Sequence, residues 1–159
     1  MNGLEFNWVQ PLDVLLGRIG LDGFGFSANF TLIDQAGQGA APAVALGVAP
    51  HTYNVTAYYE KHGVSARLST TYQKGSQVST LNQNGIAAAA LFADDYKQWD
   101  FSSSLDLSEW FQWDNKFEIT LDAVNLFNAK QRAYFQFQNA EFTNYTPGRQ
   151  YLIGFRGRF

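Results

Sequence analysis

The chain contains no cysteine, and this absence removes disulfide bonds, thiolate nucleophiles and zinc–thiolate sites together. Basic residues are not in excess either: 14 Asp and Glu stand against 11 Lys and Arg, with no basic run. We therefore expect no nucleic-acid partner. No stretch approaches the roughly 20 consecutive apolar residues that a membrane-spanning helix requires.

Signals for export and for catalysis are also missing. The start, Met-Asn-Gly-Leu-Glu-Phe, has no basic segment followed by an apolar one, so we expect Met1 not to be the natural start and the natural chain to begin upstream. His51 and His62 lack metal-ligand spacing, and Asp94 and Asp95 are interpreted as two solvated loop carboxylates. The sequence thus predicts no enzyme, no catalytic residues, no metal site and no cofactor.

Aromatic residues, in contrast, are abundant. The chain has 14 Phe, 8 Tyr and 4 Trp, together 16% of its residues. Soluble domains rarely need so many rings, whereas membrane β-barrels carry aromatic girdles at both interfaces with water.

Apolar and polar residues alternate with a period of two in seven segments, which is the pattern of strands with one apolar face. Each segment is near the length that a tilted transmembrane strand needs. The segments are 4–9, 24–32, 53–59, 64–72, 99–107, 117–123 and 151–159. The pattern predicts an all-β fold in which the strands form one antiparallel meander with an apolar face and a polar face. The apolar face is expected to hold Phe101, Leu105, Leu107, Phe117, Ile119, Leu121, Ile153 and Phe155. The polar face is expected to hold their neighbours Asp100, Ser102, Ser104, Glu118, Thr120 and Arg156.

The connections between these segments alternate strictly between long and short. This alternation is typical of outer-membrane barrels, which combine long external loops with short periplasmic turns. Charged residues within the strands, such as Asp106, Glu118 and Arg67, suit a water-filled lumen. Two alternatives remain open: a self-contained small barrel, which needs an eighth strand from 85–93, and a soluble β-sandwich that acts as a binding module.

The C-terminus resembles the signal by which outer-membrane proteins are recognised for barrel insertion. It ends in a terminal Phe with apolar residues at every second position before it, although Gly157 stands where an apolar residue is usual. The resemblance implies a barrel-assembly signal that contacts the assembly machinery, formed by Tyr151, Ile153, Phe155 and Phe159.

Further motifs are similar to TonB-dependent outer-membrane receptors. The segment 120–128, which ends in Asn-Leu-Phe-Asn, resembles their penultimate strand, and Pro-Gly-Arg-Gln-Tyr at 147–151 resembles the entry into their last strand. Residues 3–6 and 51–60 are similar to earlier strands of these barrels.

The resemblance covers the whole chain, so residues 1–159 are interpreted as a C-terminal barrel fragment, the last seven strands of a barrel of about 22. It implies location in the cell outer membrane, contact with its lipid, and partnership with the remainder of the barrel and an internal plug. The TonB complex would be reached only through an N-terminal part that is absent here.

For a transporter of this kind, the residues that touch substrate are expected in the external loops. The last loop offers rings and hydrogen-bonding groups that suit either a carbohydrate or a ferric siderophore, and the sequence does not choose between them. The candidates are Arg132, Tyr134, Gln136, Asn139 and Tyr145, with Gln138 beside them.

Overall fold

The structure, a computed structural model, describes residues 1–35, 45–80 and 89–158, and these form two antiparallel sheets with little helix. The strands are β1 (Asn2–Pro11), β2 (Phe24–Asp34), β3 (His51–Lys61), β4 (Val64–Gln73), β5 (Ser76–Ser79), β6 (Leu91–Ala93), β7 (Tyr96–Asp106), β8 (Lys116–Val124), β9 (Gln131–Phe135), β10 (Glu141–Tyr145) and β11 (Gln150–Arg158). Two short helices, α1 (Asp13–Leu16) and α2 (Leu107–Phe111), lie in connections, and a 3-10 turn (Gly17–Ile19) follows α1. The all-β prediction is confirmed.

The larger sheet contains seven strands in the order β1-β2-β3-β4-β7-β8-β11. These are the seven segments of the sequence pattern, and each is antiparallel to the next. The meander prediction is therefore confirmed for this sheet. One boundary was wrong: Leu107 begins α2 instead of ending β7, because the side chain of Asp106 accepts a hydrogen bond from the Ser108 N–H (3.0 Å) and caps the helix.

The strand register places most apolar residues of the seven strands on one face, with Val9, Tyr58 and Leu152 among the exceptions. Leu68 lies opposite both Ala57 and Phe101, and Leu121 lies opposite Ile153. Residues that face each other across antiparallel strands share a face, so this register defines an apolar face and a polar face. The predicted separation of the two residue sets is confirmed, apart from Leu107.

Neither face of this sheet is covered by a second layer within the described residues. Among all the described residues, the buried apolar ones are Ala49, Leu91 and Ala123, and no large side chain is fully buried. Even in central strands, Leu68 is 39% exposed and Leu121 is 42% exposed. In a sandwich the second sheet would cover such residues.

The connections of the larger sheet fall at two distinct ends. The short-turn end holds 12–23, 62–63 and 107–115, and the long-connection end holds 35–50, 74–95 and 125–149. The predicted alternation of long and short connections is confirmed.

A second sheet, here called the loop sheet, forms within the long connections in the order β10-β9-β6-β5. The sequence pattern did not predict it, because its strands are short and do not alternate regularly. In this sheet β6 pairs with β9, which belongs to a different connection. Residues 91–93 belong to the tract from which the small-barrel alternative needs its eighth strand, and they join the loop sheet instead. Residues 85–88 of that tract lie outside the described residues.

Candidate functional site at the long-connection end

Asn125 joins the larger sheet to the last long connection. Its side-chain amide donates to the carbonyl oxygens of Gly148 (2.9 Å) and Ala129 (3.3 Å), and its Oδ1 accepts from the Ala129 N–H (2.6 Å). Its backbone N–H donates to Asp100 in β7 (2.8 Å). The residue is 3% exposed and has φ of +58°, a left-handed conformation that Asn tolerates better than most residues. This geometry explains the Asn that opens the Asn-Leu-Phe-Asn motif.

An ion pair fastens β6 to β9 in the loop sheet. Arg132 Nε lies 2.8 Å from Asp94 Oδ2, and both side chains are less than one-third exposed. The Asp94 N–H also donates to the Arg132 carbonyl oxygen (2.8 Å), and Arg132 Nη1 donates to the carbonyl oxygen of Gln138 (3.1 Å). The guanidinium group therefore links Asp94 to the turn after β9 through two of its nitrogen atoms.

Asp95 is the centre of a second cluster, between β6 and β7. Its carboxylate accepts hydrogen bonds from Tyr72 Oη (2.7 Å), Lys74 Nζ (2.9 Å) and the Gly75 N–H (2.9 Å). Burial alone would raise the pKa of Asp95, but the hydrogen bonds from Gly75, Lys74 and Tyr72 together outweigh it and lower the pKa to about 2. The same interaction raises the pKa of Lys74.

The close approach of two chain segments depends on Gly75. A Cβ atom at this position would overlap the carbonyl oxygen of Ala93, so only glycine lets the segment after β4 pass so near to β6. The interpretation of Asp94 and Asp95 as solvated loop carboxylates was wrong, since each pairs with a cation. These ion pairs could not be predicted from local sequence, because Lys74 and Arg132 are distant from the two aspartates along the chain.

A cavity of about 530 Å³ lies beside these two clusters. Its walls come from the end of β2 with residues 48 and 50, from residues 74–77, and from β6 and β9. The rings of Phe92 and Tyr134, which face each other across β6 and β9, stack with centroids 5.7 Å apart and form one wall. The cavity thus draws on all three long connections.

The residues predicted to touch substrate do not all meet at this cavity. Tyr134 and Gln138 line it, and Arg132 lies directly behind, with its guanidinium 5.6 Å from the Tyr134 ring centre. Gln136 and Asn139 are exposed outside it, and Tyr145 lies on the loop sheet's edge strand β10. None of these placements tests substrate contact.

Most of the lining residues were not among the predicted candidates, and Asp34, Phe92 and Asp95 illustrate why. Each lies in a different part of the chain from the last loop, and only the pairing of β6 with β9 brings two of them near Tyr134. A usable signal exists for Asp34 and Asp95, since both lie at strand ends on the long-connection side.

The residues predicted as a barrel-assembly signal lie on β11, an edge strand of the larger sheet. Tyr151, Ile153 and Phe155 are on the apolar face, and Phe155 is 80% exposed. Phe159 lies outside the described residues. The arrangement presents a row of apolar side chains but does not test recognition by an assembly machinery.

Across the part of the chain that the structure describes, no helix is long and apolar enough to cross a membrane, and no group of His, Asp and Glu is placed to hold a metal ion. His51 stacks against Tyr72, with ring centroids 5.7 Å apart. Comparison with protein-family models, with curated proteins and with solved structures finds no match to this chain.

Proposed function

We propose that this chain forms part of the wall of an outer-membrane β-barrel, and that the barrel is a TonB-dependent transporter for a scarce nutrient. The observation that carries the barrel proposal is the seven-stranded sheet with an uncovered apolar face. Burial of apolar surface is worth about 25 cal/mol per Å², so an exposed apolar sheet is unfavourable in water. The hydrocarbon of a membrane removes this cost.

The distribution of rings on the apolar face supports a membrane environment. Near the long-connection end Tyr53 faces Tyr72, with ring centroids 4.9 Å apart, and near the short-turn end Phe24 faces Tyr59 at 4.7 Å. Between these two bands the same strands carry mostly smaller apolar residues, namely Ala28, Val55, Ala57 and Leu68, although Phe26 also lies there opposite Ala57. Outer-membrane barrels have this order, with an apolar belt flanked by aromatic girdles.

The polar face suits a water-filled lumen. Asn29 donates to both Glu5 and Asn7 across β1 and β2, and Arg67 pairs with Glu60 on neighbouring strands. These side chains are exposed or half-buried, so water completes their hydration. The polar face therefore suits contact with water, and the apolar face suits contact with membrane hydrocarbon.

The two alternative folds receive less support. A sandwich needs a second sheet on the apolar face, and the loop sheet leaves that face exposed. An eight-stranded barrel needs another strand in the larger sheet, whereas β6 pairs within the loop sheet.

The transporter proposal rests on the resemblance of 120–128 and 147–151 to TonB-dependent receptors. The Asn125 side chain ties Ala129 to Gly148, at the two ends of the last long connection, which gives this motif a physical role. On this proposal the partners are membrane lipid, the remaining barrel strands, the plug and, through the plug's segment, TonB. The nutrient is a carbohydrate or a ferric siderophore.

Cysteine labelling tests the membrane placement directly, since the chain has no native cysteine. The matched pairs are Phe101→Cys with Ser102→Cys, and Val55→Cys with Asn54→Cys, each joining adjacent residues on opposite faces. In outer-membrane vesicles a hydrophilic maleimide should label the Ser102 and Asn54 variants, and should label the other two only after denaturation. Equal labelling within each pair, or recovery of the chain in the soluble fraction, would refute the proposal.

A protein layer over the apolar face would also block labelling, so lipid contact needs a separate measurement. Trp99 lies on the apolar face, whereas Trp110 and Trp113 lie in and after α2. In a variant that keeps Trp99 as its only tryptophan, brominated lipids should quench the fluorescence strongly. Absence of quenching combined with protected cysteines would indicate a protein partner instead of lipid.

A further inference from the structure

The cavity at the long-connection end has the size and construction of a small-molecule site. Its volume of about 530 Å³ lies within the range of about 300–1,000 Å³ that is usual for ligand pockets. One wall is aromatic, formed by Phe92 and Tyr134, and the opposite side carries polar groups from the end of β2 and from residues 74–77. Apolar walls with a few polar groups are what such pockets need to hold and orient a ligand.

The charges around the cavity disfavour an anionic ligand. The two cations nearest to it, Lys74 and Arg132, are occupied by Asp95 and Asp94 at 2.9 and 2.8 Å. Asp34 also lines the cavity, and its carboxylate has no ion-pair partner within 1–35, 45–80 and 89–158. The excess charge is negative, so an anion would be repelled and could gain a cation only by displacing a carboxylate.

The remaining polar groups of the cavity suit hydroxyl groups. The side chains of Asp34, Ser76, Tyr134 and Gln138 line it and form no hydrogen bond to one another or to any other described residue. Together they offer an acceptor-only carboxylate, an amide that both donates and accepts, and two hydroxyls. A sugar hydroxyl also donates and accepts, and the C–H groups of a sugar ring match an aromatic wall.

We infer that this cavity binds a neutral, hydroxyl-rich ligand of the carbohydrate class, with Asp34 and Gln138 as hydrogen-bonding groups and Tyr134 as the apolar wall. This inference rests on the proposed transporter function and favours its carbohydrate class over an anionic ferric siderophore. Arg132 acts as a positioning residue, because its guanidinium holds Asp94 and the Gln138 carbonyl and does not reach for the ligand.

The test uses the full chain in lipid nanodiscs and two panels of probes. The neutral panel consists of maltotriose, cellotriose, xylotriose and mannotriose, and the anionic probe is ferric citrate. Saturation-transfer NMR should detect binding of at least one neutral saccharide, and equilibrium dialysis with radiolabelled iron should detect no bound ferric citrate. Asp34→Asn and Tyr134→Ala should each weaken saccharide binding about tenfold, which corresponds to the loss of one good contact. Tyr145→Ala, at the edge strand outside the cavity, is the matched control and should bind normally.

Results of two kinds would overturn the inference. The first is saturable binding of ferric citrate that Asp34→Asn strengthens, since removal of a repelling carboxylate favours an anion. The second is no binding of any neutral saccharide at millimolar concentration, or binding that Tyr145→Ala weakens as much as Tyr134→Ala. The cysteine-labelling result is independent of these measurements, so a chain with the expected sidedness and no saccharide binding refutes the inference alone. Saccharide binding by a chain that fails the labelling test refutes the membrane proposal alone.

Discussion

The seven-stranded sheet and the loop sheet are held together in different ways. In the larger sheet every strand keeps an unbroken register with its neighbours, and the apolar side chains stay exposed. In the loop sheet two of the three strand pairs contain a register shift, but Leu91 is buried and ion pairs tie the segments together.

The contrast shows which region depends on its surroundings. The larger sheet gains strand pairing but no apolar core, so its stability must come from whatever covers the apolar face. The loop sheet is stabilised by contacts within the chain, chiefly those of Asp94 and Asp95, and it stands at the end where water is expected. A substitution on the apolar face should therefore act through the environment, and one in the loop sheet through local contacts.

The largest effect is expected from a charge on the apolar face. Phe101→Arg places a guanidinium where we propose lipid, at a central position of β7 opposite Leu68 and Ala123. At the middle of a bilayer this costs about 2–4 kcal/mol. Urea unfolding of the chain in lipid vesicles, followed by tryptophan fluorescence, should show a loss of this size.

The matched control is Ser102→Arg, one residue further along and on the polar face. It places the guanidinium between Asp122 on β8 and Arg67 on β4, so that the attraction and the repulsion offset each other at a position exposed to water. We expect a change within about 0.5 kcal/mol of zero, as for ordinary surface substitutions. Similar losses in the two variants would contradict the assignment of different solvents to the two faces.

An effect of comparable size, but acting through local contacts, is expected at Asn125, the joint between the two regions. Asn125→Ala removes the side-chain hydrogen bonds to Ala129 and Gly148 and forces alanine into a left-handed conformation. The buried backbone groups left unpaired cost about 1–3 kcal/mol, and the strain adds about 1 kcal/mol.

Asn125→Gly separates these two contributions, because glycine adopts the left-handed conformation without strain. It should lose the hydrogen bonds alone and be about 1 kcal/mol more stable than Asn125→Ala in the same unfolding experiment. Equal stability of the two variants would mean that the backbone angle contributes nothing at this position.

The seven strands could be predicted from the sequence because their signal is local. Each strand alternates with a period of two, and a slip of one residue would exchange its two faces. The alternation from Phe101 to Leu105 therefore indicates which residues of β7 lie on the apolar face. The prediction that Leu107 belongs to β7 was wrong because Leu107 continues the alternation, whereas the Asp106 side chain caps α2 and starts the helix at Leu107.

The loop sheet and the cavity could not be predicted in the same way. Leu91–Ala93 is too short to show a period, and its partner Gln131–Phe135 lies in another connection. The pairing depends on Asp94 meeting Arg132 and on Gly75 allowing a close backbone approach, which are contacts between distant residues. Arg132, Tyr134 and Gln138 could be named from one loop, but Phe92 required the fold, as did the position of Asp34 beside that loop.

The smallest effect should separate the two regions by pH. The pKa of Asp95 is lowered to about 2 in the folded chain from its usual value of 3.8, so its contribution is present above about pH 4 and is lost as the pH falls toward 2. Because its side chain is 41% exposed, solvent screening reduces this contribution to about 1 kcal/mol.

Fluorine NMR of the chain with 3-fluorotyrosine tests this prediction. The resonance of Tyr134 should shift between pH 4 and pH 2, because the contacts of Asp95 with Lys74 and Gly75 loosen. The resonance of Tyr59, near the short-turn end, should stay constant. Asp95→Asn should show the shifted Tyr134 resonance at every pH. If the variant titrates like the original chain, or if Tyr134 and Tyr59 shift together, Asp95 does not hold the loop sheet independently of the seven-stranded sheet.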